Sequence, residues 1–242
     1  MKTNLFYLLS LCALVSLSNC TTLHIYVGDS FRNQANEYAV SGRQNAFKRE
    51  MSFGKFHFTN VKKGWVTSNS SVLFFKKQDN AKSKLSFKLK AGGLETETFC
   101  AAQAQMKSLV FGRLQIYEDM NDVYSGMIQF KDGATWDFFI KNTNNLHWNN
   151  PSMGYATDGT TRIDIQDVRK ADGETPRLLP STIFGYTFSI DREQVAVVET
   201  IGNKGNVWIK KGLDKEIEIT LANLSAALLL RPDLSQNVDN RF

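Results

Sequence analysis

Apolar and polar residues alternate along most of this chain, which is the pattern of β-strands with one buried face. Residues 55–61, 84–90 and 161–168 show it most clearly, and residues 71–75 are apolar after Ser71. Residues 96–106 favour a strand or a mixed segment. Short strands at such regular spacing predict a mainly β fold, an antiparallel barrel or sandwich of about 11–12 strands.

Two turns divide these strands into predicted hairpins. Asp132 and Gly133 lie between two β-rich runs, and both residues tolerate the positive φ angles of a tight hairpin turn. Asp191 and Arg192 lie between residues 186–190 and 194–200, a second strand pair. The pattern therefore predicts antiparallel neighbours at both places.

Three other segments have expectations of their own. Residues 23–27 alternate and are expected to form the first strand after the N-terminal region. Residues 31–50 are polar and predict a loop. Residues 142–160 are rich in asparagine and contain Pro151, which also predicts a loop.

The C-terminal part differs from the rest of the chain. Asp214, Glu216 and Glu218 begin a segment whose acids suit the first turn of a helix, and residues 219–230 carry no charge. Arg231 and Pro232 then end it. A helix that is apolar nearly all round is normally buried, and this one is too short to cross a membrane. We expect a buried C-terminal helix at about 214–230.

The arrangement from Tyr186 to Leu230, a strand pair, another strand and an apolar helix, resembles the tubby-like barrel. Tubby, phospholipid scramblases and LURP-one-related proteins share that fold. The resemblance implies about twelve strands closed around a hydrophobic C-terminal helix. It also implies an association with lipid head groups or membranes, without identifying ligand residues.

The N-terminus has the parts of a secretory signal. Lys2 precedes an apolar run, residues 5–17, that is too short to span a bilayer. Its end, Leu17-Ser18-Asn19-Cys20, resembles the lipobox of bacterial lipoproteins, although Asn19 departs from the usual Gly or Ala. The resemblance implies removal of residues 1–19 and lipid attachment at Cys20. The alternative is ordinary cleavage just after Cys20.

Lipid attachment at Cys20 would divide the chain into the signal peptide at 1–19, a lipid-anchored segment with the first strand at 20–54, and a β-domain with its helix at 55–242. The same interpretation predicts a location in the bacterial cell envelope. Thr21, Thr22 and Leu23 include no acidic residue, so we expect an outer-membrane protein that faces the periplasm.

Two cysteines remain after the signal peptide. Lipid on Cys20 would leave Cys100 as a single thiol, and its place in an apolar-alternating run predicts a buried, inert side chain. A disulfide between Cys20 and Cys100 is the alternative in an oxidising compartment.

The charge of the chain narrows the choice of partners. The net charge is +5, and its lysines are densest from Lys76 to Lys90. Such a strand could face anionic lipid, or its lysines could protect an exposed strand against aggregation. Nucleic acid is not an expected partner of an exported protein.

The sequence contains no recognisable catalytic or metal-binding pattern. His24, His57 and His147 are far apart, and no metal or cofactor site is predicted. The acid pairs Asp132 with Asp137 and Asp164 with Asp167 are the kind that chance produces among 24 acids. The sequence therefore predicts no catalytic residues and does not favour an enzyme.

One loop has the residues of a ligand contact. Its amide, imidazole and indole groups could hold a sugar through hydrogen bonds and stacking. They belong to Asn145, His147, Trp148 and Asn149. The alternative is a surface loop whose Trp148 folds back onto the barrel. A concave face lined by Trp148 and Trp136 would favour carbohydrate binding.

Together these patterns predict an exported, lipid-anchored envelope protein with a non-enzymatic binding or structural role. Its expected partners are the membrane, through the lipid, and a lipid head group, a glycan or an envelope protein. Since a barrel filled by a helix has little room inside, we expect binding at loops or on the outer face. The alternatives are a carbohydrate-binding module and a carbohydrate-active hydrolase.

Overall fold

The structure is a computed structural model, and it describes residues 23–43, 49–64, 67–73, 76–111, 114–143, 153–173, 182–202 and 204–231. The first half contains α1 (Asp29–Gln34), β1 (Ala35–Ser41), β2 (Met51–Phe53), β3 (Phe56–Lys63), β4 (Thr67–Leu73), β5 (Lys76–Ala91), β6 (Leu94–Phe111) and β7 (Leu114–Phe130). The second half contains β8 (Thr135–Thr143), β9 (Met153–Thr157), β10 (Arg162–Val168), β11 (Gly185–Ile190), β12 (Glu193–Glu199), β13 (Asn206–Lys210) and α2 (Lys215–Leu230).

The strands form one antiparallel sheet that closes on itself. Its order is β3-β2-β1-β13-β12-β11-β10-β9-β8-β7-β6-β5-β4, and β3 also pairs with β5. The residues of β5 from Leu85 to Lys90 pair with β3, and those from Lys76 to Lys82 pair with β4. β4 therefore lies outside a closed ring of twelve strands. The predicted mainly β fold is confirmed in its barrel form.

The alternation seen in the sequence determines which side chains enter the barrel. In β10, Ile163 and Ile165 are buried while Arg162, Asp164 and Gln166 are exposed. Period-2 burial of this kind is expected of a sheet with an apolar inner face. The two predicted hairpins are also confirmed. In the second, Asp191 and Arg192 both have positive φ, which matches the twist of the flanking strands.

The C-terminal helix occupies the barrel interior. Twelve consecutive residues, Ile219 to Leu230, are buried, so every face of α2 contacts protein. Asp214 precedes the helix and accepts a hydrogen bond from the backbone of Glu216, as an N-cap should. The predicted buried helix is confirmed, and residue 214 is its cap.

Three local predictions were wrong. Residues 23–27 form only an isolated bridge, in which Ile25 pairs with Ala171, because their apolar side chains pack on the outside of the barrel. Residues 31–50 were expected to be a loop but contain most of α1 and all of β1. The predicted loop at 142–160 contains β9, a five-residue strand in which Ala156 is fully buried.

Candidate functional site

The structure does not describe the residues for which the sequence predicted lipid attachment and ligand contact. Cys20 and the loop residues Asn145, His147, Trp148 and Asn149 lie outside the described residues. Trp136 is only 1% exposed and points into the barrel, where its indole Nε1 donates to Glu216 at 3.0 Å. It therefore cannot line a concave outer face, and its role is to fix the first turn of α2.

The acid pairs do not form a catalytic cleft. Asp132 lies in the β7–β8 turn and accepts a hydrogen bond from the backbone of Ala134. Asp164 pairs with Arg162 at 2.7 Å, and Asp167 pairs with Arg169 at 3.0 Å. Their carboxylates neutralise neighbouring cations. Among the described residues, no three His, Cys, Asp or Glu side chains lie close enough to hold a metal ion.

Polar contacts fix the central helix to the barrel wall. Asn223 is fully buried, and its Oδ1 accepts hydrogen bonds from Thr96 at 3.1 Å and Thr98 at 3.0 Å. The hydroxyl of Tyr124 donates to the carbonyl of Ala227 at 2.9 Å. Buried hydrogen bonds require defined geometry, so they specify the depth and rotation of α2 as apolar packing alone would not. The interior of the barrel is thus filled by the chain's own helix.

Cys100 and Tyr124 face this interior together. Cys100 is a free, buried thiol, as its apolar-alternating position predicted, and no disulfide involves it. Burial raises the pKa of the Cys100 thiol to about 12. Burial also raises the pKa of the Tyr124 hydroxyl well above its usual value. Both groups are therefore protonated at neutral pH, and a protonated buried thiol is unreactive.

Arg43 links the C-terminal end of α2 to the barrel wall. Its guanidinium donates to the carbonyls of Leu229 at 2.8 Å, Thr200 at 2.9 Å and Gly202 at 2.8 Å. A cation suits the last carbonyls of a helix, which carry partial negative charge. Burial lowers the pKa of Arg43, and the nearby carboxylate of Glu199 opposes that shift. Arg43 thus connects α2 to the loop that follows β12.

Glu199 is a buried carboxylate between the outside of the barrel wall and the residues that precede β1. It is 2% exposed, and its Oε1 accepts hydrogen bonds from the backbone of Ile25 at 2.9 Å and from His24 Nδ1 at 3.1 Å. The amide of Asn206 lies 3.4 Å from its other oxygen. Residues 23–34, called here the N-terminal segment, are fixed to the barrel by this carboxylate. A His–carboxylate pair also occurs in nucleophilic enzymes, but the remaining contacts of Glu199 are structural.

The N-terminal segment covers a second apolar cluster on the outside of the barrel. This outer cluster comprises Ile25, Val27, Phe31, Ala35, Ala171, Phe184, Val197 and Trp208. Val197 and Trp208 point outward from β12 and β13, whose other face belongs to the interior core. A groove of about 470 Å³ runs beside the segment, bordered in part by Tyr26, Phe31 and Thr187.

Exposed aromatic side chains mark another part of the outer wall. Phe99, Phe139 and Tyr155 are each more than a third exposed. Phe139 and Tyr155 are direct partners in the register of β8 and β9, so their side chains are neighbours. The guanidinium of Arg162 lies 4.5 Å from the ring centroid of Tyr155. Adjacent exposed aromatic rings are typical of binding surfaces.

Sequence reasoning missed both Glu199 and the exposed aromatic residues. Glu199 ends the apolar run 195–198, and an acid in that position is the only local signal of its burial. Its partner His24 is 175 positions away, so no spacing rule joins them. Phe139 adjoins Phe138 in the sequence, and only the inner of the two is buried.

Comparisons of the chain with protein families, with characterised proteins and with solved structures find no match. No helix within the described ranges is long and apolar enough to cross a membrane.

Proposed function

We propose that this chain is an exported, lipid-anchored protein of the bacterial cell envelope with a non-enzymatic binding or structural role. The observation that carries the binding role is the filled interior, in which twelve consecutive helix residues are buried. Where the described strands enclose α2, the barrel has no lumen for a substrate, so we expect partners to bind outside it. The lipobox-like Leu17-Ser18-Asn19-Cys20 supplies the anchor.

The proposed location is the outer membrane, with the barrel facing the periplasm. The closed ring of twelve strands around α2 supports the resemblance to tubby-like barrels. That resemblance implies an association with lipid head groups or membranes. The contacts of several described acids also suit a binding role. Asp164 forms an ion pair with Arg162, and Glu199 accepts a structural hydrogen bond from the backbone of Ile25.

The experiment is intact mass measurement of protein from the membrane fraction. Wild type should have a mass that fits cleavage before Cys20 plus acyl chains. Cys20→Ser should lose the acyl mass and leave the membrane fraction. Cys100→Ser is the matched control, because it removes the other cysteine of the mature chain and should keep the lipid. An unmodified wild-type mass in the soluble fraction would refute the anchor.

Carbohydrate binding is the second candidate function, and the exposed pair Phe139 and Tyr155 favours it. Aromatic faces stack on sugar rings, and Asp137 and Asp164 lie on the same outer wall. Glycan-array binding of the soluble Cys20→Ser form tests it. Binding lost in Phe139→Ala and Tyr155→Ala, but kept in Tyr26→Ala, would place a sugar at this pair. Equal binding by all variants would exclude it.

A further inference from the structure

The proposed anchor lies very close in sequence to a fixed point on the barrel. Only Thr21 and Thr22 separate Cys20 from Leu23, the first described residue. Consecutive Cα atoms are 3.8 Å apart, so Leu23 can lie at most about 11 Å from Cys20. A lipid on Cys20 therefore brings the membrane surface close to Leu23.

The chain beyond Leu23 cannot lengthen this connection while the fold is intact. The backbone of Ile25 donates to Glu199, and Ile25 pairs with Ala171. The backbone of Tyr26 donates to Lys170 at 3.0 Å, and that of Asp172 donates to His24 at 2.8 Å. Ile25 and Val27 are also buried in the outer cluster. The segment is bound to the wall from its first residues onward.

Two side chains beside this fixed point suit a membrane surface. Tyr26 is 42% exposed, and the Lys170 ammonium lies 3.8 Å from its ring centroid. Tyrosine and lysine both have an apolar body and a polar end, and such side chains favour the head-group level of a bilayer. Nearby, Arg32 and Asp172 form an exposed ion pair at 3.0 Å and neutralise each other, whereas Lys170 adds a positive charge beside Tyr26.

We infer that the barrel rests on its own membrane through this surface, with Tyr26 and Lys170 at the level of the lipid head groups. The inference depends on the proposed lipidation of Cys20. The partner is a lipid surface, and the short connection determines which wall faces it. The aromatic residues of β8 and β9 then remain available to the periplasm.

The test compares two labelled sites on anchored protein. Tyr26→Cys and Tyr155→Cys are matched, because the native side chains are 42% and 39% exposed. Cys20 is blocked by its lipid, and the Cys100 thiol, buried and protonated, does not react at neutral pH. A fluorophore on each new cysteine is then quenched by aqueous iodide, in vesicles of phosphatidylethanolamine and phosphatidylglycerol in equal amounts.

The label at position 26 should be quenched several-fold less than the label at position 155. The difference should vanish in the unanchored Cys20→Ser background. It should also vanish when a flexible Gly-Ser linker of about ten residues is inserted between Thr22 and Leu23, since the linker frees the barrel from the surface.

Equal quenching at both sites in protein whose mass includes the acyl chains would overturn this orientation and leave the anchor intact. A mass without acyl chains would overturn both, and the mass measurement on the same sample separates the two results. Shielding that persists with the long linker would show that the surface binds lipid without the short connection, which contradicts the role given to that connection.

Discussion

The interior core and the outer cluster lie on opposite faces of the same two strands. On β12 and β13, Ala196 and Val207 face α2, whereas Val197 and Trp208 face the N-terminal segment. The interior cover is a sixteen-residue helix, and the exterior cover is an extended segment with the short helix α1. The interior cover is enclosed by strands on every side, and the exterior cover is open on its outer side. Exposing the buried side chains should therefore cost far more free energy in the interior core than in the outer cluster.

The first test of this difference between the two regions is Leu224→Asp. Leu224 is buried on α2, and an unpaired carboxylate there costs several kcal/mol, a large part of the roughly 5–15 kcal/mol that stabilises a domain. We expect loss of the folded state, measured by circular dichroism and thermal melting. Leu224→Met, which keeps the volume, should fold. An unchanged melting temperature for Leu224→Asp would contradict a buried helix.

The second is Asn223→Leu, which tests the polar contacts inside the barrel. The change leaves the hydroxyls of Thr96 and Thr98 without their acceptor, which should lower the free energy of unfolding by about 2–4 kcal/mol. Denaturant titration measures it. Adding Thr96→Val and Thr98→Val should restore much of the loss, because no buried hydroxyl then lacks a partner. Further destabilisation by the valines would show that Asn223 acts otherwise.

The third is Glu199→Ala, which should act mainly on the exterior. The change leaves the buried backbone N–H of Ile25 without an acceptor, a cost of about 1–3 kcal/mol. We expect residues 23–34 to become sensitive to proteases while the barrel stays folded. Glu199→Gln retains an acceptor for Ile25 and should resist cleavage better. Cleavage within the barrel at the same rate would mean that the two regions unfold together.

The smallest expected effect is a loss of stability in alkali through Cys100. Its folded pKa is raised to about 12, so the folded state retains a proton that the unfolded chain loses above about pH 8.5. Stability from this group is full below that pH and falls as the pH rises toward 12. Between about pH 8 and about pH 9.5 the loss should be about 1 kcal/mol.

Denaturant titration at both pH values measures this loss. Cys100→Ala should show a smaller decrease, because it removes the titrating thiol. An equal decrease in the variant and the wild type would place the alkaline sensitivity in other groups.

The two regions also differ in what the sequence reveals. The interior was predictable, because period-2 alternation and an uncharged C-terminal stretch are local signals of a strand face and a buried helix. The outer cluster was not, because Ile25 and Val27 have the alternation of a strand but pack on the outside of the barrel without joining its sheet. Long-range contacts such as His24 with Glu199 determined the outcome there.

The candidate functional residues also differ in whether a local sequence signal reveals them. The lipobox-like Cys20 is a local motif and could be proposed from four residues. The aromatic pair Phe139 and Tyr155 depends on the register between β8 and β9. Sequence reasoning expected a loop where β9 lies, so it could not place Tyr155 beside Phe139.

Hydrogen exchange of the intact protein measures whether the helix is a permanent part of the interior while the N-terminal segment faces the surroundings. Peptides from Lys215–Leu230 should exchange only through global unfolding, at the same slow rate in the anchored and the Cys20→Ser forms. Peptides from residues 23–34 should exchange faster than the helix and be slowed by anchoring. Helix peptides that exchange as fast as the β7–β8 turn would contradict a filled barrel and reopen its interior to a ligand.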